Sequence, residues 1–150
     1  MTIRFVWSVY ETIRVRVFIY NLSAERLWDT EKPIPSIQIA TNINVLGMNK
    51  KREDLLEVPF VFTVNYTPAV AQISLKGRAH VMGSKSELKK IHGEYTEKHI
   101  PPSIVIQHIS NVGILESVII TRTLNVPPPI PLPKIPLVEK RKPSEPTYRA

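Results

Sequence analysis

The 150-residue chain predicts one α+β domain: a four-stranded antiparallel sheet, a short helix and a long helix, followed by an extended proline-rich basic tail. Three observations carry this prediction. Through the first half of the chain apolar residues recur at every second position, the period of half-buried strands. Helix signals begin only afterwards, from Ser84 onward. Beyond Asn125 the composition turns abruptly to proline, and eight of the fourteen prolines lie from Pro127 on. The division that follows is a domain over 1–126 and an arm over 127–150.

From Ile3 to Ile19 the apolar residues keep to odd positions (Ile3, Phe5, Trp7, Val9, then Ile13, Val15, Val17 and Ile19), which reads as a strand or a strand pair broken near Glu11. Arg4, Arg14, Arg16, Phe18 and Tyr20 then look outward. Pro33 and Pro35 open a second strand over Ile37, Ile39, Thr41, Ile43 and Val45, and the segment from Gly47 to Asp54 reads as a hairpin loop. The third strand alternates Val58, Phe60, Phe62, Val64 and Tyr66. The fourth alternates Ala71, Ile73, Leu75, Gly77, Ala79 and Val81, and its short link to the third favours antiparallel neighbours. Pro59 has no N–H to give a ladder, which puts that part of the third strand at an edge or a bulge.

Ser84-Lys85-Ser86-Glu87 has the spacing of a capping box and predicts a short helix to about Ile91. Pro101-Pro102 suits the first turn of a longer helix that runs to about Asn125. Its polar side is narrow: Gln107, Asn111, Ser117 and Thr121. Between Val112 and Ile120 the sequence is apolar nearly all round. Either the helix lies deep in its own core, or one face covers the sheet and another meets a neighbouring chain. From Val126 to Leu137 proline allows only polyproline II or irregular extended chain.

A hydrophobic content of 43% is enough to build a core in a chain of this size. The absence of cysteine excludes a disulfide framework, a thiolate zinc site and a thiol nucleophile. His80, His92, His99 and His108 never fall at a metal-ligand spacing, the five glycines are dispersed, and His108 and Ser110 stand two apart on a predicted helix, where they do not face each other. No enzyme, metal, cofactor or small-molecule substrate is expected; the reading is of a binding protein. The first ten residues lack the pattern of a signal peptide and no apolar run reaches the ~18 residues of a membrane span, so the expected location is the cytoplasm. A net charge of +7 and a pI near 9.8 favour an anionic partner.

Three runs carry a family resemblance: Phe62-Thr-Val-Asn-Tyr-Thr-Pro68, Ile73-Ser-Leu-Lys-Gly77, and Arg122-Thr-Leu-Asn-Val-Pro-Pro-Pro-Ile-Pro-Leu-Pro-Lys-Ile135. Set in this order of strands and helices, they resemble the SecB export-chaperone fold, and archaeal SecB-like proteins in particular, over roughly Arg4 to Leu137. SecB chaperones are acidic and end in a further helix, whereas this chain is basic and ends in a cationic arm. Among archaeal relatives the resemblance therefore implies the SecB-like protein of the large (50S) ribosomal subunit, a structural protein docked on ribosomal RNA and neighbouring ribosomal proteins.

On that reading the RNA-binding residues are Arg14, Arg16, Lys76 and Arg78 on the outward sheet face, beside His80, Phe18 and Tyr20 and with no carboxylate expected among them. Lys134, Lys140, Arg141, Lys142 and Arg149 continue the surface along the arm. Lys50-Lys51-Arg52 is nearly neutralised by Glu53, Asp54 and Glu57 and reads as a plain surface loop. The alternative implied by the same resemblance is a cytosolic SecB-like chaperone, an oligomer holding unfolded client proteins on exposed apolar surface.

Overall fold

The alternation of apolar residues folds into one antiparallel sheet covered on one face. The computed structural model describes residues 13–130 and contains β1 (Arg14–Arg26), β2 (Gln38–Val45), β3 (Asn49–Arg52), β4 (Leu55–Thr67), β5 (Ala71–Met82), α1 (Lys85–Lys98) and α2 (Ser103–Leu124). The sheet runs β1-β5-β4-β2, with β3 also paired to β4. The residues from Ile3 to Val9, and the arm from Pro131 onward, lie outside the described residues.

The long strands β4 and β5 occupy the centre, and their inward rows Val58, Phe60, Phe62, Val64, Tyr66 and Ala71, Ile73, Leu75, Ala79, Val81 are all buried. Gly77 completes the second row, because a Cβ there would stand 2.6 Å from the Phe60 ring. The sheet has five strands where four were expected. Asn49–Arg52, expected as loop, pairs with β4 in the register Asn49 to Glu57 and Lys50 to Leu56. All four of its residues are exposed, so no apolar period marks it as a strand.

Strand β1 continues well past Ile19. Ile19 faces Gly77 but Asn21 faces Lys76, so a bulge at Tyr20 shifts the alternation by one residue and ends the odd-numbered pattern while the ladder goes on. Pro59 sits inside the sheet, at a break in its neighbour. Its carbonyl accepts from the Leu46 N–H at 2.9 Å, between the end of β2 and the start of β3, so the missing N–H falls where no strand would receive it.

Ser84 caps α1 as its spacing predicts, its hydroxyl accepting from the Glu87 N–H at 3.3 Å. The helix runs on to Lys98 rather than stopping near Ile91, with exposed Gly93 inside it, and closes on His99 in the left-handed region. Helix α2 starts after Pro102, ends at Asn125 (φ 53°), and lies across the inner face of the sheet against β1, β5, β4 and β2.

The inward side of α2 is Val105, Ile109, Gly113, Ser117, Ile120 and Thr121. Ser117 and Thr121, expected on the polar side, are therefore buried. Their hydroxyls donate to Gly113 O at 2.7 Å and Val118 O at 2.8 Å, so small polar side chains fill the contact without an unsatisfied donor. Gly113 sets the closeness of the contact: a Cβ there would stand 2.6 Å from the Phe62 ring.

Two side chains tie down the end of α2. The Arg26 guanidinium donates to Leu124 O at 3.1 Å and Asn125 O at 2.8 Å, and also to Trp28 O at 3.0 Å. The Tyr66 hydroxyl donates to Pro127 O at 2.6 Å, while burial pushes its pKa up to about 12.

Gly113→Ala is expected to destabilise the protein, because overpacking of about 1–3 kcal/mol exceeds the gain of about 1 kcal/mol in helix propensity. Gly93→Ala meets only open space and is expected to stabilise by about 0.5–1 kcal/mol, and urea midpoints compare the two directly. Because burial holds the folded pKa of Tyr66 above the ordinary tyrosine value of 10.0, the folded state holds that proton longer, and stability is lost as pH rises from 10.0 to about 12. Tyrosinate absorbance is expected to show one late-titrating tyrosine, missing in Tyr66→Phe.

Candidate functional site

Among the described residues, helices cover one face of the sheet and leave the other bare. On the bare face β1 presents Arg14, Arg16, Phe18 and Tyr20 and β5 presents Lys76, Arg78 and His80, since their neighbours Val15, Val17, Ile19, Leu75 and Ala79 point into the core. Phe18 and Tyr20 are 42% and 61% exposed.

Arg16, Phe18, Tyr20, Arg78 and His80 form a cluster. The Phe18 and His80 rings lie 4.9 Å apart, the Arg16 guanidinium sits 5.2 Å from the Phe18 centroid, and Arg78 sits 5.4 Å from that of Tyr20. Phe18, Tyr20, Arg78 and His80 line a shallow open depression of about 370 Å³. Sequence reasoning thus brings four of its site residues, Arg14, Arg16, Lys76 and Arg78, onto one surface. The other five, Lys134, Lys140, Arg141, Lys142 and Arg149, lie outside the described residues.

The face differs from expectation in one respect: a carboxylate stands within it. Glu57 is the β4 partner of His80, 8% exposed, with Oε2 3.3 Å from His80 Nε2 and Oε1 3.6 Å from Lys51 Nζ and 3.7 Å from Arg78 Nη1. It was counted among the loop acids, yet the inward parity of Val58 and Phe60, extended back by one residue, places it outward on β4. Among the described residues no carboxylate pairs with Arg14, Arg16 or Lys76. The Lys50 to Asp54 hairpin neutralises itself as expected, through Lys50 to Glu53 at 3.0 Å and Arg52 to Asp54 at 3.4 Å.

A second bare surface lies on α2. With Ser117 and Thr121 turned inward, Leu115 and Ile119 point away from the sheet and are 65% and 60% exposed. Contrary to the expectation from run length, Ser103–Leu124 is long and apolar enough to cross a membrane by length and composition alone. Its inner side is instead the cover of the sheet.

No family model matches the chain, and no curated protein matches it in sequence. The fold matches a solved structure of the Mycobacterium tuberculosis Rv1957 SecB-like chaperone in complex with a ChAD peptide from the Rv1956 HigA1 antitoxin. The TM-score is 0.53 and the identity 12%, over 83% of this chain and 91% of that one. The fold is therefore SecB-like.

That match overturns the expectation of an RNA-binding protein of the archaeal large ribosomal subunit, since the solved fold it resembles is a chaperone's. The geometry explains how charge misled: Arg78 leans on Glu57 as well as on Tyr20, and Lys51 and His80 share the same carboxylate.

Glu57→Gln is expected to cost about 1 kcal/mol at low ionic strength and less in high salt, because it removes a partly desolvated carboxylate from three cationic or polar partners. Urea midpoints at two salt concentrations measure the difference.

Proposed function

We propose that the protein is a cytoplasmic SecB-like chaperone, which holds unfolded segments of other proteins by binding alone, with no catalytic step and no cofactor. The observation that carries the reading is apolar surface left bare on a SecB-like fold. Leu115 and Ile119 stand out from α2, whose buried side takes Ser117 and Thr121 along with Val105, Ile109 and Ile120. Large exposed apolar side chains grouped on one element mark an interaction surface. On the opposite side of the sheet Phe18 and Tyr20 add aromatic area on rigid strands. The neighbouring fold in complex with a peptide supports a polypeptide as the ligand class.

Light scattering of a chemically unfolded client, diluted into buffer with and without the protein, tests this. The protein is expected to suppress aggregation near equimolar ratio. The double variant Leu115→Lys, Ile119→Lys is expected to lose most of that activity with its far-UV circular dichroism unchanged. Aggregation that proceeds equally with and without the wild-type protein sinks the reading.

A further inference from the structure

We infer that the bare face of β1 and β5 selects client segments in which acidic residues flank aromatic or aliphatic ones; this rests on the chaperone reading and names the client chemistry. Three features of the face point to it. First, its apolar surface is aromatic and already ordered: the Phe18 and Tyr20 rings stand on adjacent outward positions of one strand, each with a guanidinium over it. An arriving apolar side chain meets rings that rigid strands hold in place, which limits the ordering cost of binding.

Second, the charge around those rings is one-sided. Arg16 and Arg78 stand over them, Arg14 and Lys76 lie on the same face, and the acids on the outward positions of β1, β4 and β5 are Glu57 and Glu25. Glu57 is already engaged by Lys51, Arg78 and His80, and Glu25 lies opposite Gln72 near the far end of the strand pair. Arg14, Arg16 and Lys76 have no carboxylate among the described residues, so carboxylates of a ligand find free partners there, whereas lysine or arginine in a ligand meets like charge.

Third, the spacing suits an extended segment. Outward residues along β1 alternate Arg14, Arg16, then Phe18 and Tyr20, so cationic and aromatic positions follow one another along a strand rather than gathering at a point. A ligand strand with acids beside its apolar residues matches that order. Beyond the cluster the outward residues of β4 and β2 are uncharged, including Val61, Thr63, Asn65, Ala40 and Asn42, which leaves the discrimination to the β1–β5 half.

The test uses two labelled synthetic peptides with the same aromatic and leucine positions, one with glutamate and one with lysine between them, titrated by fluorescence anisotropy. The glutamate peptide is expected to bind about fivefold or more tightly at about 50 mM salt, with the gap narrowing by about 300 mM. The triple variant Arg14→Gln, Arg16→Gln, Lys76→Gln, with circular dichroism checking its fold, is expected to bring the two affinities within roughly twofold. Equal affinities in the wild type, an unchanged ratio in the triple variant, or self-association that occludes the face and blocks both peptides would each overturn the inference. If aggregation is suppressed but the peptides bind equally, selectivity fails and the chaperone reading stands. If the glutamate peptide is preferred but no client is protected, the chaperone reading fails and the preference of the face stands.

Discussion

Gly113 lies directly beneath the Phe62 ring, and the space it leaves open governs how α2 sits on the sheet. With no side chain at that point and only hydroxyl-bearing Ser117 and Thr121 on either turn beyond it, the helix approaches β4 and β5 closely. Helix rotation is then settled as well. Once the small residues are turned inward, the larger Leu115 and Ile119 have nowhere to go but outward. A helix whose composition is apolar on every side cannot bury all of it against a single sheet, and the packing decides which part stays bare.

The two sides of the sheet consequently differ in kind. The covered side is a close-packed layer of β-branched and aromatic residues under α2. Among the described residues the open side has no layer above it; the guanidinium groups of Arg16 and Arg78 stand over its two aromatic rings, and His80 stands beside Phe18. Such stacking satisfies the rings in part and leaves the guanidinium edges able to donate hydrogen bonds. Glu57 keeps the local charge from accumulating, so the face combines a modest positive field with ordered apolar area. The same residues, cationic side chains beside aromatic rings, are those expected from the sequence to bind RNA, and the carboxylate of Glu57 is the one group on the face that this expectation left out.

Much of this architecture is legible in the sequence, where local pattern and burial agree. The alternation from Val58 to Val81 gives β4, β5 and their inward rows, and Ser84, Pro102 and Asn125 mark three helix ends by chemistry that the backbone obeys. The failures share a cause, which is that tertiary contacts override a local period. β3 is charged and exposed at every position and is held by its pairing to β4. The bulge at Tyr20 reverses parity, so the second half of β1 no longer matches the first. α1 is a different case: expected to end near Ile91, it runs on through exposed Gly93 to Lys98 with no tertiary contact at the glycine. Of the candidate site, Arg14, Arg16, Phe18, Tyr20, Lys76 and Arg78 follow from strand parity alone. Glu57 is hidden by its acidic neighbours in the turn, and a second apolar side of α2 is legible as one alternative, but its position is not, because Ser117 and Thr121 face the sheet rather than water.

The bonds from Arg26 and Tyr66 to the end of α2 have a mechanical consequence. Arg26 belongs to β1 and Tyr66 to β4, and the carbonyls they hold belong to residues 124, 125 and 127. Tension applied through the C-terminal segment is therefore delivered to an edge strand and a central strand at once, through side chains that must slip together, rather than unwinding the helix from its last turn. A load that one hydrogen bond would yield to is shared between β1 and β4, two strands that both pair with β5.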